Sequence, residues 1–364
     1  MSTTLSDTDL LDILNGACLY GCGGGGSIAL GRSLLEQLTK APSHPIMLAT
    51  PQEMTGADAC CVTAGIGSPT AAGSTGFQLG TLALSFDRLA QGRGTGFTHV
   101  MPAELGAANS LLPMTVAATN GIPVLDAAGS FRAVPQIMQS TFAIRGLPIG
   151  TVVLANDQQH VTFAAGGGPV AVDATIRGII SGGAFTDDAG VALWAMDAAT
   201  AQRGSLTGTT EAARQLGAIL RTALADGNDP VAAVSAFLGG RVLITGGIAE
   251  EQQQSGEATD FGVVVITDSA EQEVRVLSQN ENLVAWVSTS TRPAALAPDL
   301  IVFMTTDGKP FSNADIEGLP RGTQVAVIIA PVDASMRVPA MVAAFLPLLR
   351  STGYGGAWTG VEDL

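Results

Sequence analysis

The sequence predicts an α/β N-terminal domain with a mostly parallel sheet, followed by a β-rich (α+β) C-terminal domain. The chain has 364 residues, which at about 150 residues per domain favours two domains. Between residues 45 and 154, short apolar runs alternate with helical patterns, as in parallel sheets covered on both faces. Beyond residue 241, short strands separated by turn residues dominate instead.

In the first domain, placed at residues 1–165, a helix capped by Ser6 or Thr8 is predicted to run to about Tyr20. Its buried side is expected to carry Leu10, Leu11, Ile13, Leu14 and Ala17. A second helix spans about 28–40. Strands are then predicted at 45–49, 59–64, 98–101, 122–125 and 150–154, and helices at about 76–91, 106–120 and 133–145.

The second domain, placed at residues 166–364, follows a probable hairpin near 156–162 and a glycine-rich stretch at 166–168. The final helix, at 339–350, is expected to pack back on either domain. Helices are predicted at 209–225 and 230–237, and strands at 241–248, 260–267, 273–279, 282–288, 299–305 and 323–330.

Composition and charge exclude several classes of partner. Hydrophobic residues make up 46% of the chain and charged residues 13%, which favours a large core over disorder. Seventeen basic against 32 acidic residues give a formal charge of −15, so we expect neither nucleic acid nor an anionic membrane as partner. Low charge and high glycine content suggest that some surface is hidden between subunits of a homo-oligomer.

The start of the chain and its cysteines indicate a cytoplasmic location. The first 20 residues contain three aspartates where a signal peptide has a basic flank, and no apolar window is long enough to span a membrane. The spacing of the four cysteines does not favour disulfides, so we expect reduced, mostly buried thiols. Cys22 is the best candidate for a reactive one. The cysteines are Cys18, Cys22, Cys60 and Cys61.

The glycine run GCGGGGS is the first candidate binding element. Consecutive glycines weaken a fold, so their use is unusual backbone conformation or a close approach of backbone to something else. With Ser27 capping the next helix, free N–H groups can face an anionic or carbonyl oxygen at the positive helix end. The alternative is a tight turn between two helices. The candidates for substrate binding are Gly23, Gly24, Gly25 and Gly26.

A second loop, AGIGSPTAAGSTG at Ala64–Gly76, follows a predicted strand. Ligands of open α/β sheets bind outside the carboxyl ends of strands. We therefore expect Gly67 and Thr70 to contribute to a second backbone cradle, unless this is an ordinary connection between strand and helix.

Two acidic residues come at the ends of buried strands. Glu104 follows one strand and is joined five residues later by Asn109, and this pair can bind a polar substrate or hold a divalent metal. Asp126 ends the next strand, with Arg132 shortly after it. For Glu104 the alternative is a helix-capping acid, and Asp126 and Arg132 can instead form a salt bridge with each other.

The segment SQNENLVAW places Asn280 and Glu281 between two apolar strand segments. These side chains either stabilise a tight turn or contribute to an interdomain site. The chain has no HExxH or paired CxxC motif, and no GxSxG motif, so a classical zinc site and an α/β-hydrolase triad have no support.

Taken in order, seven segments resemble the S-methyl-thiohydantoin desulfurase-like family over about residues 9–355. They are GCGGGGS, GIGSPT, ELGAANS, LDAAGSFRAVPQ, RGSLTGTTEAARQLGAIL, QNENLVAW and APDLI. The resemblance implies an α/β N-terminal and a β-rich C-terminal domain, and removal of sulfur from thiohydantoin-type rings. Some members are associated with hydantoinase-type enzymes.

The chain departs from the family pattern at several positions. The acidic residues that usually follow Asp126 and Pro135 are missing, as is the acid that usually follows the glycine run. This puts the family's chemistry, and any metal near Asp126, in question. The residues that stand at the divergent positions are Ser27, Ala107, Ala127, Ala128, Phe131 and Gln136.

Desulfuration of a cyclic thioamide requires water to attack the thiocarbonyl carbon, hydrogen-bond donors for the developing charge, and a base. We expect the glycine run to supply donors, and Glu104 or Asp126 to act as the base directly or through a divalent metal. Arg132 is expected to hold a substrate carboxylate. The predicted function is a hydrolase or desulfurase for a thiohydantoin- or hydantoin-like ring in an interdomain cleft. A non-catalytic small-molecule binder and a nucleotide-binding protein are the alternatives.

Overall fold

A computed structural model describes residues 2–40, 42–66, 79–156, 158–185, 189–255 and 259–364. It confirms the predicted fold class. The N-terminal part is a mixed sheet with parallel strands and helices, and the C-terminal part is a curled antiparallel half-barrel. In the described residues, no helix is long and apolar enough to cross a membrane.

The first sheet has eight strands in the order β1-β2-β5-β4-β3-β9-β7-β8, with β6 and β10 forming a separate pair. Strands β2, β5, β4 and β3 are parallel, and all other neighbours are antiparallel. The bounds are β1 Thr3–Thr4, β2 Met47–Ala49, β3 Ala59–Ile66, β4 His99–Pro102, β5 Val124–Leu125, β6 Ala127–Ala128, β7 Thr151–Ala155, β8 His160–Ala164, β9 Ala189–Asp197 and β10 Leu206–Thr207.

The second sheet is antiparallel throughout, in the order β15-β14-β13-β12-β11-β17-β16. Alternate residues of β16 and β17 belong to two different apolar clusters, so this part of the sheet is buried on both faces. The bounds are β11 Arg241–Ser255, β12 Asp260–Thr267, β13 Glu273–Gln279, β14 Glu281–Val287, β15 Pro293–Leu296, β16 Leu300–Thr305 and β17 Gln324–Ala330.

The described helices agree closely with the periodicity of the sequence. Ser6 caps the first helix by accepting a hydrogen bond from the Asp9 amide, as predicted, but Leu11 is exposed rather than buried. The bounds are α1 Asp7–Tyr20, α2 Ile28–Lys40, α3 Leu79–Arg93, α4 Leu112–Asn120, α5 Thr141–Ile144, α6 Gly168–Ile179, α7 Ala198–Gly204, α8 Thr209–Ala225, α9 Pro230–Phe237 and α10 Pro339–Ser351.

Two of the differences from the sequence prediction affect the walls of the candidate site described below. The helix predicted at 133–145 is wrong: the segment holds only a 3₁₀ turn, Ile137–Gln139, and the four-residue α5. Ser140 caps α5 by accepting a hydrogen bond from the Ala143 amide, which starts a new helix inside the predicted one. Strand β9 was not predicted, and it places a segment beyond residue 165 in the middle of the first sheet, between β3 and β7.

The two parts are held together by helix contacts at both ends of the chain. Helices α1 and α8 cross where Gly16 faces Ala213, and a Cβ at Gly16 would overlap the Ala213 carbonyl. Helix α10 packs against the 3₁₀ turn of the N-terminal part, and the Gln139 Nε2 donates to the Ala344 carbonyl at 2.8 Å. This contact lies beside the segment that forms one wall of the candidate site.

Candidate functional site

A cavity of about 130 Å³, partly continuous with solvent, lies between the two parts. Its walls come from the glycine run, the ends of β3 and β4, the segment after Ala133, helix α6, strand β9 and the start of β14. The described lining residues are Gly25, Gly26, Leu30, Ala64, Gly65, Ile66, Ala103, Glu104, Ala108, Asn109, Leu112, Val134, Pro135, Gln136, Ile137, Ser140, Asp173, Ile176, Arg177, Ile180, Val191, Leu193, Trp194, Asn280 and Glu281.

Glu104 is held in this cavity by two hydrogen bonds. The Asn109 Nδ2 donates to its Oε1 at 2.8 Å, and the Val134 amide donates to its Oε2 at 2.8 Å. Burial raises the pKa of the Glu104 carboxyl to about 7, against the opposing effect of these donors and of the Arg132 charge. Glu104 therefore exchanges its proton near neutral pH while its orientation stays fixed.

Asn109 has its whole amide committed to this arrangement. Its Oδ1 accepts a hydrogen bond from the Gly65 amide at 2.9 Å, which fixes Nδ2 as the group that faces Glu104. The sequence predicted Asn109 within the helix, but in the structure Asn109 precedes α4. Asn109 thus links the end of β3 to the carboxyl group that follows β4.

Glu281, at the start of β14, is the second carboxyl group of the cavity. It is buried, and its Oε2 has no hydrogen-bond partner among the residues that the structure describes. Burial raises the pKa of its carboxyl well above the ordinary value, the negative charge of Glu104 raises it further, and Arg132 and Arg177 lower it. Burial and the negative charge of Glu104 thus both favour the protonated form of Glu281, next to a carboxyl group whose pKa is about 7.

The glycine run packs against Glu281 and against the loop that carries Glu104. Gly25 and Gly26 line the cavity, whereas Gly23 packs on Asn313 and Gly24 on Glu281. The N-terminus of α2 is already occupied, because Ser27 accepts from the Leu30 amide and the Asp315 carboxylate accepts from the Ile28 amide at 3.0 Å. The sequence predicted that a ligand anion binds at the N-terminus of α2, but the Asp315 carboxylate of the chain itself binds there.

Asp126 does not line this cavity. It lies in a separate groove with Glu53, Glu211 and Arg214, and its Oδ1 accepts a hydrogen bond from the Glu211 amide at 3.0 Å. The N-cap of α8, Gly208, has no side chain to cap the helix, so Asp126 supplies the missing acceptor. Burial raises the pKa of its carboxyl, and the amides at the helix end lower it.

Arg132 is completely buried and does not line the cavity. Its guanidinium donates to four carbonyl groups, at distances of 2.7–3.2 Å, and lies 5.9 Å from the centre of the Phe345 ring. No salt bridge joins it to Asp126 among the ion pairs of the described residues. The acceptors are the carbonyl oxygens of Ala133, Asn282, Pro298 and Asp299.

The cavity contains two residues that sequence reasoning missed. Arg177 on α6 bonds Asp173 at 2.7 Å and the Pro135 carbonyl, and it brings a positive charge to the wall. Trp194 lies at a bulge of β9 with a φ of 46°, and its Nε1 has no hydrogen-bond partner in the described part of the chain. Both belong to segments that follow residue 165. The only sequence signal for Trp194 was a continuous apolar run, which does not distinguish a buried strand from a helix.

The remaining candidates are placed as follows. Asn280 lines the cavity with a φ of 58°, and its Oδ1 accepts from the Asp260 amide, so it stabilises the turn into β14. Gly67 and Thr70 lie outside the described residues. The Cys22 thiol is buried, and burial raises its pKa, which disfavours the reactive thiolate.

Within the described residues, no group of three or more His, Cys, Asp or Glu side chains could hold a metal ion. In addition, both oxygens of Glu104 already accept hydrogen bonds from the protein. These two donors hold the carboxyl group in one orientation, as proton transfer to or from it requires.

Family models match nearly the whole chain. The model described as S-Me-THD-like, N-terminal domain, matches residues 8–165, and the S-Me-THD-like, C-terminal domain, matches residues 168–349. A crystal structure of a protein from Chromobacterium violaceum is similar, with 27% sequence identity, a TM-score of 0.84, and coverage of 99% of this chain and 100% of that one. No curated protein matches.

Proposed function

The chain belongs to the S-Me-THD-like family, and from this premise we propose that it is a hydrolase or desulfurase for a small thiohydantoin- or hydantoin-like ring bound in the cavity. The observation that carries the proposal is the pair Glu104 and Glu281. The pKa of Glu104 is about 7, and burial together with the charge of Glu104 raises the pKa of Glu281, so the pair is suited to supply a base and an acid in one cavity.

In the desulfuration of an S-methylated ring, Glu104 and Glu281 can carry out all of the proton transfers. The water oxygen attacks the carbon that bears sulfur while Glu104 takes a proton from that water. Glu281 gives its proton to the ring nitrogen. The C–S bond then breaks, the new hydroxyl returns its proton to Glu281, and Glu104 protonates the leaving sulfur. The products are a ring carbonyl and methanethiol, and both carboxyl groups regain their starting state.

Two further features of the cavity support this role. Asn109 and the Val134 amide hold Glu104 in one orientation, which a general base requires. Arg177 provides positive charge on the same wall, where negative charge develops as the C–S bond breaks.

A test of the proposal is the incubation of the purified protein with an S-methyl-thiohydantoin, a thiohydantoin and a hydantoin. We expect release of methanethiol, of sulfide, or of a ring-opened product, together with a thermal shift from the ligand. The proposal would be refuted if none of the three compounds gave product release or a thermal shift.

A non-catalytic small-molecule-binding protein is a second candidate. The buried Glu281 Oε2 and Trp194 Nε1 have no partner, and a ligand can satisfy such groups without any reaction. A thermal shift with no turnover at any pH between 5 and 9 would favour this candidate over the enzyme.

A further inference from the structure

We infer that the glycine run is a positioning element that seats the Glu281 carboxyl group beside Glu104, and not a cradle for a ligand anion. The inference rests on the proposed function, since it explains how the two groups of that reaction come to share one cavity. It assigns Gly24 a role in catalysis although Gly24 does not line the cavity.

The first step in the argument is the space around Gly24. A Cβ built on Gly24 would overlap the Glu281 carboxyl group and its Cγ. The side chain of Glu281 therefore lies directly on the backbone of the glycine run, at a distance that only glycine allows.

The second step concerns the opposite side of the run. The Gly25 carbonyl accepts hydrogen bonds from the Ala108 amide at 3.0 Å and the Asn109 amide at 3.1 Å. Gly25 also packs so closely on Gly106 that a Cβ on either residue would overlap the other. The loop that carries Glu104 and Asn109 is thus bonded to the run one residue after the contact with Glu281.

The third step is the attachment of the run to the second sheet. The Cys22 carbonyl accepts from the Asn282 amide at 2.7 Å, and the Gly23 carbonyl accepts from the Asn313 amide at 2.8 Å. Residue 22 therefore binds the strand that begins with Glu281, residue 23 binds Asn313, and residue 25 binds the loop of Glu104. Only residues 23 and 24 separate the support of Glu281 from the support of Glu104.

The fourth step excludes the simplest competing role. The helix end after the run is capped by Ser27 and by the Asp315 carboxylate. A ligand anion there would meet an existing negative charge, so the helix dipole does not explain the glycines.

The experiment compares two substitutions of the same kind. Gly24→Ala forces the Glu281 carboxyl group to move, whereas Gly204→Ala forces the Leu147 side chain to move at a site outside the cavity. In each case the obstacle is the end of a flexible side chain, so we expect similar, modest losses of melting temperature.

The expected functional results are different. Gly24→Ala should lower kcat at least tenfold with KM changed less than threefold, because misplaced groups lose reactivity more than affinity. Gly204→Ala should leave both within twofold of the wild type. In the background of Glu281→Gln, Gly24→Ala should have almost no additional effect, because the group that it displaces no longer transfers a proton. Full kcat in Gly24→Ala would overturn the inference.

A measurement without substrate keeps the inference testable if the proposed function fails. In ¹³C NMR of protein labelled at glutamate carboxyl carbons, the wild type should show Glu281 titrating far above the usual range. Gly24→Ala should bring that titration down by at least one pH unit as water reaches the displaced group. An unchanged Glu281 titration in Gly24→Ala would contradict the inference, whatever the substrate is.

Discussion

Glu104 and Asp126 follow the neighbouring parallel strands β4 and β5, yet their carboxyl groups meet different surroundings. Asp126 lies at the N-terminus of α8, whose N-cap glycine has no side chain. There its carboxyl group accepts a hydrogen bond from the Glu211 amide. Glu104 faces a cavity instead, held by Asn109 and opposed by Glu281. Both residues follow a parallel strand. The elements that pack around each carboxyl group determine whether its role is structural or chemical.

The comparison also shows how two acidic groups acquire different proton affinities. Both carboxyl groups are buried, which raises the pKa of each. For Asp126 the groups that lower the pKa are backbone amides at a positively polarised helix end. For Glu104 the effect of burial outweighs its two hydrogen-bond donors and the charge of Arg132, and its pKa reaches about 7. Burial therefore places this carboxyl group in the range that catalysis at neutral pH requires.

The largest expected effect separates these two residues by function. Glu104→Gln keeps the size of the side chain and removes the base, so turnover should fall about 1000-fold while the ligand still raises the melting temperature. The measurement is the initial rate of thiol release at pH 8, with Asp126→Asn as the matched control. Equal losses in the two variants would dissolve the distinction between the sites.

The two arginines extend the same division. Arg132→Met should lower the free energy of unfolding by about 3 kcal/mol or more, because four buried carbonyl groups lose their donor. Arg177→Met, at a partly exposed position on the cavity wall, should cost much less stability and weaken turnover instead. Urea denaturation and rate measurements on both variants check this. A stable Arg132→Met variant with impaired ligand binding would restore the role first predicted for Arg132.

The pH dependence of stability sharpens the comparison further. The pKa of Glu104 is higher in the folded chain than its ordinary value of 4.5, so the folded state binds the proton more tightly. Stability should therefore fall as pH rises from about 4.5 to about 7, by roughly 3 kcal/mol from this group. Glu281 acts in the same direction, from its ordinary value of 4.5 up to its own raised pKa. Urea denaturation between pH 5 and pH 8 should show a smaller decline in Glu104→Gln than in the wild type, and identical slopes would contradict the shifted pKa.

The smallest expected effect belongs to Asp126. Asp126→Ala removes the acceptor for the first turn of α8 and should cost about 1 kcal/mol of stability. Turnover should remain within twofold of the wild type, since the residue is outside the cavity. Thermal denaturation and the rate assay measure both quantities, and a stable but inactive variant would return Asp126 to the list of catalytic residues.

Local patterns in the sequence were sufficient to predict most helices and strands of both parts. Strand β9 was not predicted, because a short apolar run does not show which strand it pairs with. In the structure it follows the glycine-rich stretch and pairs antiparallel with β3 of the first sheet. Glu104, Asn109 and Glu281 were selected as site residues, but their mutual contacts depend on tertiary packing. The capping of α8 by Asp126 and the burial of Arg132 are likewise decided by distant segments, which no local pattern encodes.

The most direct test of the account is a crystal structure of Glu104→Gln with an S-methyl-thiohydantoin bound. The account predicts the ring in the cavity, with its sulfur-bearing carbon between residue 104 and Glu281 and with the Arg177 side chain on the same wall. Density for the ring in the groove beside Asp126, with the cavity between Glu104 and Glu281 holding only water, would contradict it.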